Sequence, residues 1–443
     1  MEFKKKSLYI PMFPNQWTPI KLYELAEWIN GKAFKKDDYN ITGLPVIKIA
    51  ELNTGLSSNT KYSINNDVKF YIKKGDILFA WSGNPDTSID THKFKEKEGY
   101  LNQHIFKVLP NDNKIESDFL YYILKYLKPF FKEIARNKQT TGLGHVTISD
   151  LKKIQVRIPS KNIQKEIADI FIILDSKIEI NNKIISNLES QAQAIFKSWF
   201  VDFEPFQDGN FVESELGMIP EDWEVKELGE VADFSNGYSF KSKDLLEEKK
   251  SKNDYKVFKQ ADIKVGGGIN PNNTKSWIDS EFIRKNKLSR FIIQSGDLMM
   301  CMTDMKNNVR LLGNTALVYQ PDEYILNQRV GRLRSKQKEI KPSFLYYLTN
   351  NSVFLNDLRG RANTGVQVNL STSEIKRSKV ILPTCDIIKR FCDYSESITK
   401  SINSLNNQNT KLAELRDALL PKLMAGEIDV SNIKIEGEEV KNE

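Results

Sequence analysis

The sequence predicts an α+β protein in which two tandem pseudo-symmetric α/β domains are separated by two long antiparallel coiled-coil helices. Three observations lead there. The chain is written twice: Trp17, Leu22, Glu24, Ala26, Asn30, Gly31, Phe34 and Lys35 recur with identical spacing as Trp223, Leu228, Glu230, Ala232, Asn236, Gly237, Phe240 and Lys241. Each copy mixes short β-rich runs with amphipathic helices. A long heptad-spaced helix follows each copy.

The echo runs on to the C-terminus. Gly75-Asp76 returns as Gly296-Asp297, Leu101-Asn102-Gln103 as Leu326-Asn327-Gln328, and Phe119-Leu120-Tyr121-Tyr122 as Phe344-Leu345-Tyr346-Tyr347. Thr141-Gly142 matches Thr364-Gly365, and Pro159 matches Pro383. The offset drifts from 206 (Trp17 to Trp223) to 225 (Leu101 to Leu326), as insertions confined to loops produce. A repeat of this length is too long for a solenoid unit and implies a duplicated domain.

Within residues 1–160 the runs VIKIAEL, VKFYIK, DILFAW and HIFKVLP are bounded by Gly, Asn and Pro and read as strands. DFLYYILKYLKPFFKEIAR reads as one helix with an aromatic and aliphatic face. A Thr/Gly-rich loop follows, then a short helical turn entering a strand. Residues 223–383 repeat this order.

The first long helix, placed at 161–204, carries Ile167, Phe171, Leu174, Ile178, Asn181, Ile185, Leu188, Ala192, Ile195 and Trp199 at unbroken 4-3 spacing. That is a coiled-coil seam. Asn181 is its polar member, the residue type that fixes register at a cost in stability. The second helix, at 384–426, presents Phe391, Ser395, Ile398, Ile402, Leu405, Asn409, Leu412, Arg416, Leu419 and Leu423 in the same register. If a pseudo-two-fold axis relates the copies, the helices run antiparallel. Residues 205–222 read as an ordered linker strap, and 427–443 as an acidic tail.

Composition narrows the class. The 443 residues carry a net charge of +7, 40% hydrophobic and 28% charged residues, ordinary for a globular chain. No apolar run reaches the length of a membrane span, and the basic start lacks the apolar core of a signal peptide. Cys301, Cys385 and Cys392 form no disulfide framework, which points to a reducing cytoplasm. Cys385 and Cys392 are expected to be buried thiols. Basic residues crowd 284–287, 329–336 and 359–361, a distribution that permits phosphate-backbone binding.

Catalytic constellations are missing. The sequence has no GxxxxGK[ST] loop, no HExxH pair and no GxSxG elbow. His92, His104 and His145 have no histidine counterparts in the second copy, so a shared task does not need them. They are expected in polar surface or loop positions. Asp76 and Asp297 fit turns leading into buried strands, and the paired tyrosines fit core packing. Glycines 266–268 read as a flexible hairpin loop.

Two matched basic domains held apart by stiff helices suit one extended polymer read at two places. DNA is the obvious candidate. The loop with Lys306, Asn307, Asn308 and Arg310 is basic and amide-rich after a strand, which suits phosphate and base-edge contacts.

Three segments then carry a family resemblance: Ile195-Phe196-Lys197-Ser198-Trp199-Phe200-Val201-Asp202-Phe203-Glu204-Pro205; Ser214-Glu215-Leu216-Gly217 leading to Ile219-Pro220 and Trp223; and Leu415-Arg416-Asp417-Ala418-Leu419-Leu420-Pro421-Lys422-Leu423-Met424-Ala425-Gly426-Glu427-Ile428. With these the chain resembles, over about residues 10 to 430, the specificity subunits of type I restriction-modification systems. The resemblance implies that 1–160 and 223–383 are target recognition domains, each reading half of a bipartite asymmetric double-stranded DNA sequence. It implies that the helices gauge the spacer and seat two modification subunits, which methylate adenine N6 with S-adenosylmethionine. Two restriction subunits can join and cut DNA using ATP and Mg. This chain would bind no cofactor itself and would work in a prokaryotic cytoplasm.

Family recognition loops match Lys35, Lys36, Gln139, Thr140, Thr141 and His145 in the first copy. In the second they match Lys241, Lys243, Arg361, Asn363, Thr364 and Gln367. Rival readings are a specificity subunit whose single partner both methylates and cleaves, a self-contained methyltransferase or nuclease, and a purely structural coiled-coil tether.

Overall fold

Two helices of 40 residues, Lys161–Phe200 and Cys385–Met424, organise the chain in the computed structural model. At 1.5 Å per residue each is about 60 Å long. The structure describes residues 11–430 except 58, 65–66, 140–141, 271–275, 306–308, 320–322 and 365–366. The chain forms two compact units whose boundaries fall inside both helices: 1–180 with 409–443, and 181–408. The units are therefore not the linear segments that the sequence suggests. Each repeated domain packs with the adjoining half of one helix and the far half of the other.

In the first unit, strand Thr18–Lys21 pairs antiparallel with Gln155–Ile158, tying the start of the domain to its end. The main antiparallel sheet runs 26–30, 105–110, 77–80, 90–93. Its strand Ile77–Ala80 (ILFA) is apolar at every position and buried at every position, as a strand covered on both faces must be. In a second small sheet Leu44–Ile47 pairs in parallel with Glu98–Leu101. Helices Ser117–Tyr126 and Lys128–Asn137 cover the main sheet with Phe119, Leu120, Ile123 and Phe131.

The sequence reads those helices as one. They are two, because Pro129 has no N–H to give the preceding turn and instead sits in the first turn of a new helix. Glu116 caps the first, accepting from the Phe119 N–H at 2.8 Å. The long helices meet in the same core, where Ile167, Phe171 and Leu174 join Leu419, Leu420, Leu423 and Met424. Asp175 pairs with Arg416 and Asn181 with Gln408, so numbers rise along one helix as they fall along the other and the pair is antiparallel. Gly426, at φ +66°, ends the second helix with its α-carbon against Pro14. Val430 is buried in this core, so the first residues of the expected acidic tail are packed. Residues 431–443 lie outside the described residues.

The second unit repeats the plan. Glu224–Glu227 pairs with Lys379–Leu382, and the sheet order is 232–236, 330–335, 298–301, 315–317. Leu298–Cys301 (LMMC) is the all-buried strand, and Tyr255–Phe258 runs parallel to Tyr324–Leu326. Phe196, Phe200, Phe344, Tyr347 and Phe391 form one aromatic cluster joining domain and both helices. Trp223 sits within it, with ring centroids 5.8, 5.4 and 5.1 Å from Phe200, Phe203 and Phe206. The segment WFVDFEPF is thus half of a cage for this tryptophan. Phe203 takes a left-handed φ of 54° to turn its ring inward. The linker continues as a hairpin of Phe211–Ser214 with Gly217–Pro220.

None of the twenty seam positions is exposed. Asn181, fully buried, donates its amide to Gln408 Oε1 at 2.7 Å. Ile185, Leu188, Ile195 and Trp199 line one side, and Phe391, Ile398, Ile402 and Leu405 the other. Ile178 and Leu412 are half-buried in the first unit.

Several small expectations need correction. Cys385 is exposed, because it opens the second helix ahead of the seam; Cys301 and Cys392 are buried, and burial pushes the Cys301 thiol up to about 12. His92 is not a loop residue. It lies on strand Asp90–Lys93, where burial pulls its pKa down to about 4 and keeps it neutral. Gly266, Gly267 and Gly268 all have positive φ, but this hairpin is docked: Gly267 leaves room for the Tyr346 hydroxyl and Asn350. Asp76 and Asp297 do close turns, accepting from the backbone of Lys73 (2.9 Å) and Gln294 (2.8 Å).

Candidate nucleic-acid interface

Backbone requirements set the edge of each main sheet. Strand 26–30 ends at Asn30-Gly31, and the chain then runs against the turn Leu101-Asn102-Gln103. A Cβ on Gly31 would fall on the Asn102 carbonyl. The Lys32 N–H bonds the Leu101 carbonyl at 2.9 Å. The second unit is the same: Gly237 lies on the Asn327 carbonyl, and the Tyr238 N–H bonds Leu326 at 2.9 Å. Only glycine permits this approach. The repeated Asn-Gly and Leu-Asn-Gln motifs are one contact written twice.

That contact presents matching rims of side chains. In the first unit Trp81 stacks on Phe106 with centroids 5.4 Å apart and donates Nε1–H to Asn30 Oδ1 at 3.0 Å. His104 and His145 flank the indole at 5.8 and 5.9 Å. His145 Nδ1 is 2.8 Å from Ser82 Oγ. His104 is exposed, and its partial burial and the neighbouring His145 lower its pKa, so it is a neutral group able to donate or accept.

In the second unit the backbone frame is kept and the side chains change. Trp81 N–H bonds the His104 carbonyl at 3.2 Å, and Met302 N–H bonds that of Arg329 at 3.3 Å. Val146 N–H bonds the Trp81 carbonyl at 2.8 Å, and Leu370 N–H that of Met302 at 2.9 Å. Arg329 therefore stands where His104 stands, exposed. The same frame thus carries an aromatic, imidazole-rich rim in one unit and an arginine rim in the other.

The sequence-selected residues distribute around these rims. Lys35 and Lys36 are exposed just past Gly31, at a short 3-10 turn pinned by Asp38, which accepts from the Lys35 N–H at 2.7 Å. Gln139 is exposed and donates to the Gly142 carbonyl at 2.7 Å. Thr140 and Thr141 lie outside the described residues. Lys241 and Lys243 are exposed at the equivalent turn of the second unit.

Gln367 pairs with Met305, and Asn363 with Asn369, in a small sheet of 303–305, 367–369 and 363–364. The strands flanking the Thr-Gly loop thus lie beside strand 303–305; Lys306, Asn307 and Asn308 lie outside the described residues, and Thr364 is placed only as a strand position. Arg310 is exposed. Arg361 is engaged by Asp357 at 2.8 and 3.1 Å, so it would have to leave that carboxylate to reach a ligand.

Much of the basic run 329–336 is structural. Arg334 forms a two-point ion pair with buried Asp297, Arg332 donates to the Arg290 carbonyl at 3.0 Å, and Lys336 reaches the Gly229 carbonyl and Asp233. Arg359 holds the loop before it, donating to the carbonyls of Leu312 (3.0 Å) and Arg310 (2.8 Å). Arg136, at the matching place in the first unit, pairs with Asp86 of the corresponding loop. Sequence reading missed Asn30, Trp81, His104 and Arg329 as rim residues. Their one signal was a differing pair, His104 against Arg329, inside an otherwise repeated motif.

Among the described residues no cluster of His, Cys, Asp and Glu could hold a metal ion, and no helix is long and apolar enough to cross a membrane. Comparison with known proteins is decisive for the family. Residues 14–190 and again 220–415 match the type I restriction modification DNA specificity domain. The chain belongs to this family. Its relatives include the specificity subunit of type I restriction enzyme MjaVIII from Methanocaldococcus jannaschii, 28% identical and spanning 98% of this chain and 99% of the relative. The HindI specificity subunit of Haemophilus influenzae is 26% identical over 85% of this chain and 94% of its own length. A crystal structure of a type I system S subunit from M. genitalium aligns with 93% of this chain and 97% of its own at 19% identity, with a TM-score of 0.49. In this specificity-subunit family the matched domain occurs twice in the chain, and each match takes in one rim and part of a long helix.

Proposed function

We propose that this chain is the DNA-reading subunit of a type I restriction-modification assembly and carries no catalysis of its own. Each domain reads one half of a bipartite, asymmetric double-stranded target, and the helix pair sets the unspecified spacer. Two modification subunits seat on the chain and methylate adenine N6 with S-adenosylmethionine. Restriction subunits, with ATP and Mg, join them to cut, in a prokaryotic cytoplasm. The observation that carries the reading is the duplicated rim: one backbone frame with different side chains, as two readers of different half-sites require. The side chains suit base edges. Arginine pairs with guanine O6 and N7, and neutral histidine and asparagine both donate and accept.

The test is to co-express the chain with its neighbouring modification gene and map methylated adenines by single-molecule sequencing. The expected result is one bipartite motif with a fixed gap. Methylation at a continuous short motif, or none from a well-formed complex, would contradict the reading.

A further inference from the structure

Within the core that the first recognition domain shares with both long helices, one carboxylate hydrogen-bonds to the domain and to the second helix at once. Asp175, on the first helix, uses each oxygen for a different element. Oδ2 accepts from the Tyr122 hydroxyl at 2.8 Å, and Tyr122 belongs to the domain helix 117–126. Oδ1 accepts from Arg416 Nη1 at 2.8 Å, and Arg416 belongs to the second helix. Tyr122 is only 3% exposed, and its ring lies 4.8 Å from Phe171 in the seam. Burial and the adjacent carboxylate raise the tyrosine pKa, so it remains a donor, and the carboxylate in turn raises that of Arg416. Both bonds are charge-assisted, and such bonds are directional as well as strong.

Among the described residues the second unit has no such arrangement. Thr399 occupies the position 224 residues after Asp175, and its hydroxyl pairs with Tyr319. Tyr347, the counterpart of Tyr122, packs edge-on against Phe391 at 5.5 Å and over Phe196 at 6.2 Å. Aromatic packing buries area but restrains angle less sharply than two fixed hydrogen bonds.

We infer that Asp175 is a positioning residue: with Tyr122 and Arg416 it fixes the angle at which the first recognition domain is held on the helix pair, and through that angle the spacing at which the first half-site is accepted. This deepens the proposed function and rests on it. Asp175 spends its carboxylate oxygens on Tyr122 and Arg416, away from the described rim side chains, so its loss should leave the half-site sequences intact and loosen only their separation.

The test uses the complex of this chain with its modification subunits and the methylation map described above. Asp175→Asn keeps the size and an acceptor but removes the charge; Arg416→Met and Tyr122→Phe remove the two partners singly. In each, both half-sites should keep their sequences. The share of methylated sites whose gap is one base pair longer or shorter should rise about tenfold, equivalent to about 1.4 kcal/mol of lost restraint. Arg416→Lys, which retains the charge, should restore most of the fidelity. An unchanged gap distribution in assembled Asp175→Asn and Arg416→Met complexes would overturn the inference. So would failure of all three variants to assemble, which would make the cluster a stability element only. A wild-type map without a bipartite motif would instead overturn the functional reading, which separates the two failures.

Discussion

Trp223→Ala is expected to produce the largest loss of stability of any single substitution in the second unit, roughly 3–5 kcal/mol. Trp223 is 5% exposed and is enclosed by Phe200, Phe203 and Phe206. Truncation removes the aromatic contacts and leaves a cavity between elements that cannot collapse together. One wall is the end of a 40-residue helix, and another is the linker held by Phe203 in its left-handed turn. Chemical denaturation of the purified complex, followed by tryptophan fluorescence and circular dichroism, measures the effect. Trp223→Phe should recover about half of it. A loss below about 1 kcal/mol for the alanine variant would mean that the cage is loosely packed.

Gly31→Ala and Gly237→Ala are expected to cost about 3 kcal/mol each, the upper end for overpacking a well-filled site. A methyl at either position meets the carbonyl of Asn102 or Asn327, which are backbone atoms without rotamers to escape into. The consequences for reading should be separate. The Gly31 contact holds the turn that presents His104, and the Gly237 contact holds the turn that presents Arg329. Each variant should lower methylation at targets through its own half-site while selectivity at the other half-site persists. Methylation efficiency on plasmids carrying single-base changes in each half-site measures this. Equal relaxation at both half-sites in either variant would refute the independence of the two rims.

Much of the architecture was legible in the sequence because it rests on short-range patterns. Duplication shows in identical spacing, and the seams show in unbroken 4-3 spacing, which depends only on helix geometry. The helix break at Pro129 was visible in principle, but the aromatic face continues across it: Phe119, Ile123 and Phe131 all point into one core. The rims were less legible. Asn30, Trp81, His104 and His145 come from four separate strands or turns and meet only in the folded sheet. The clustering of basic residues misled in the opposite direction. Arg332, Arg334 and Lys336 look like a phosphate patch in one dimension. The fold turns all three onto buried or carbonyl partners and leaves Arg329 at the edge. The cage around Trp223 accounts for the aromatic run from Trp199 to Phe206: it builds the junction between domain and helix.

The central claim is that two independent readers sit on one chain. It is tested most directly by exchanging residues 1–160 for the corresponding segment of another family member and mapping methylated adenines in the assembled complex. The account predicts that one half-site changes to that of the donor while the other half-site and the gap stay as they were. A simultaneous change in both half-sites, with the complex intact, would contradict it.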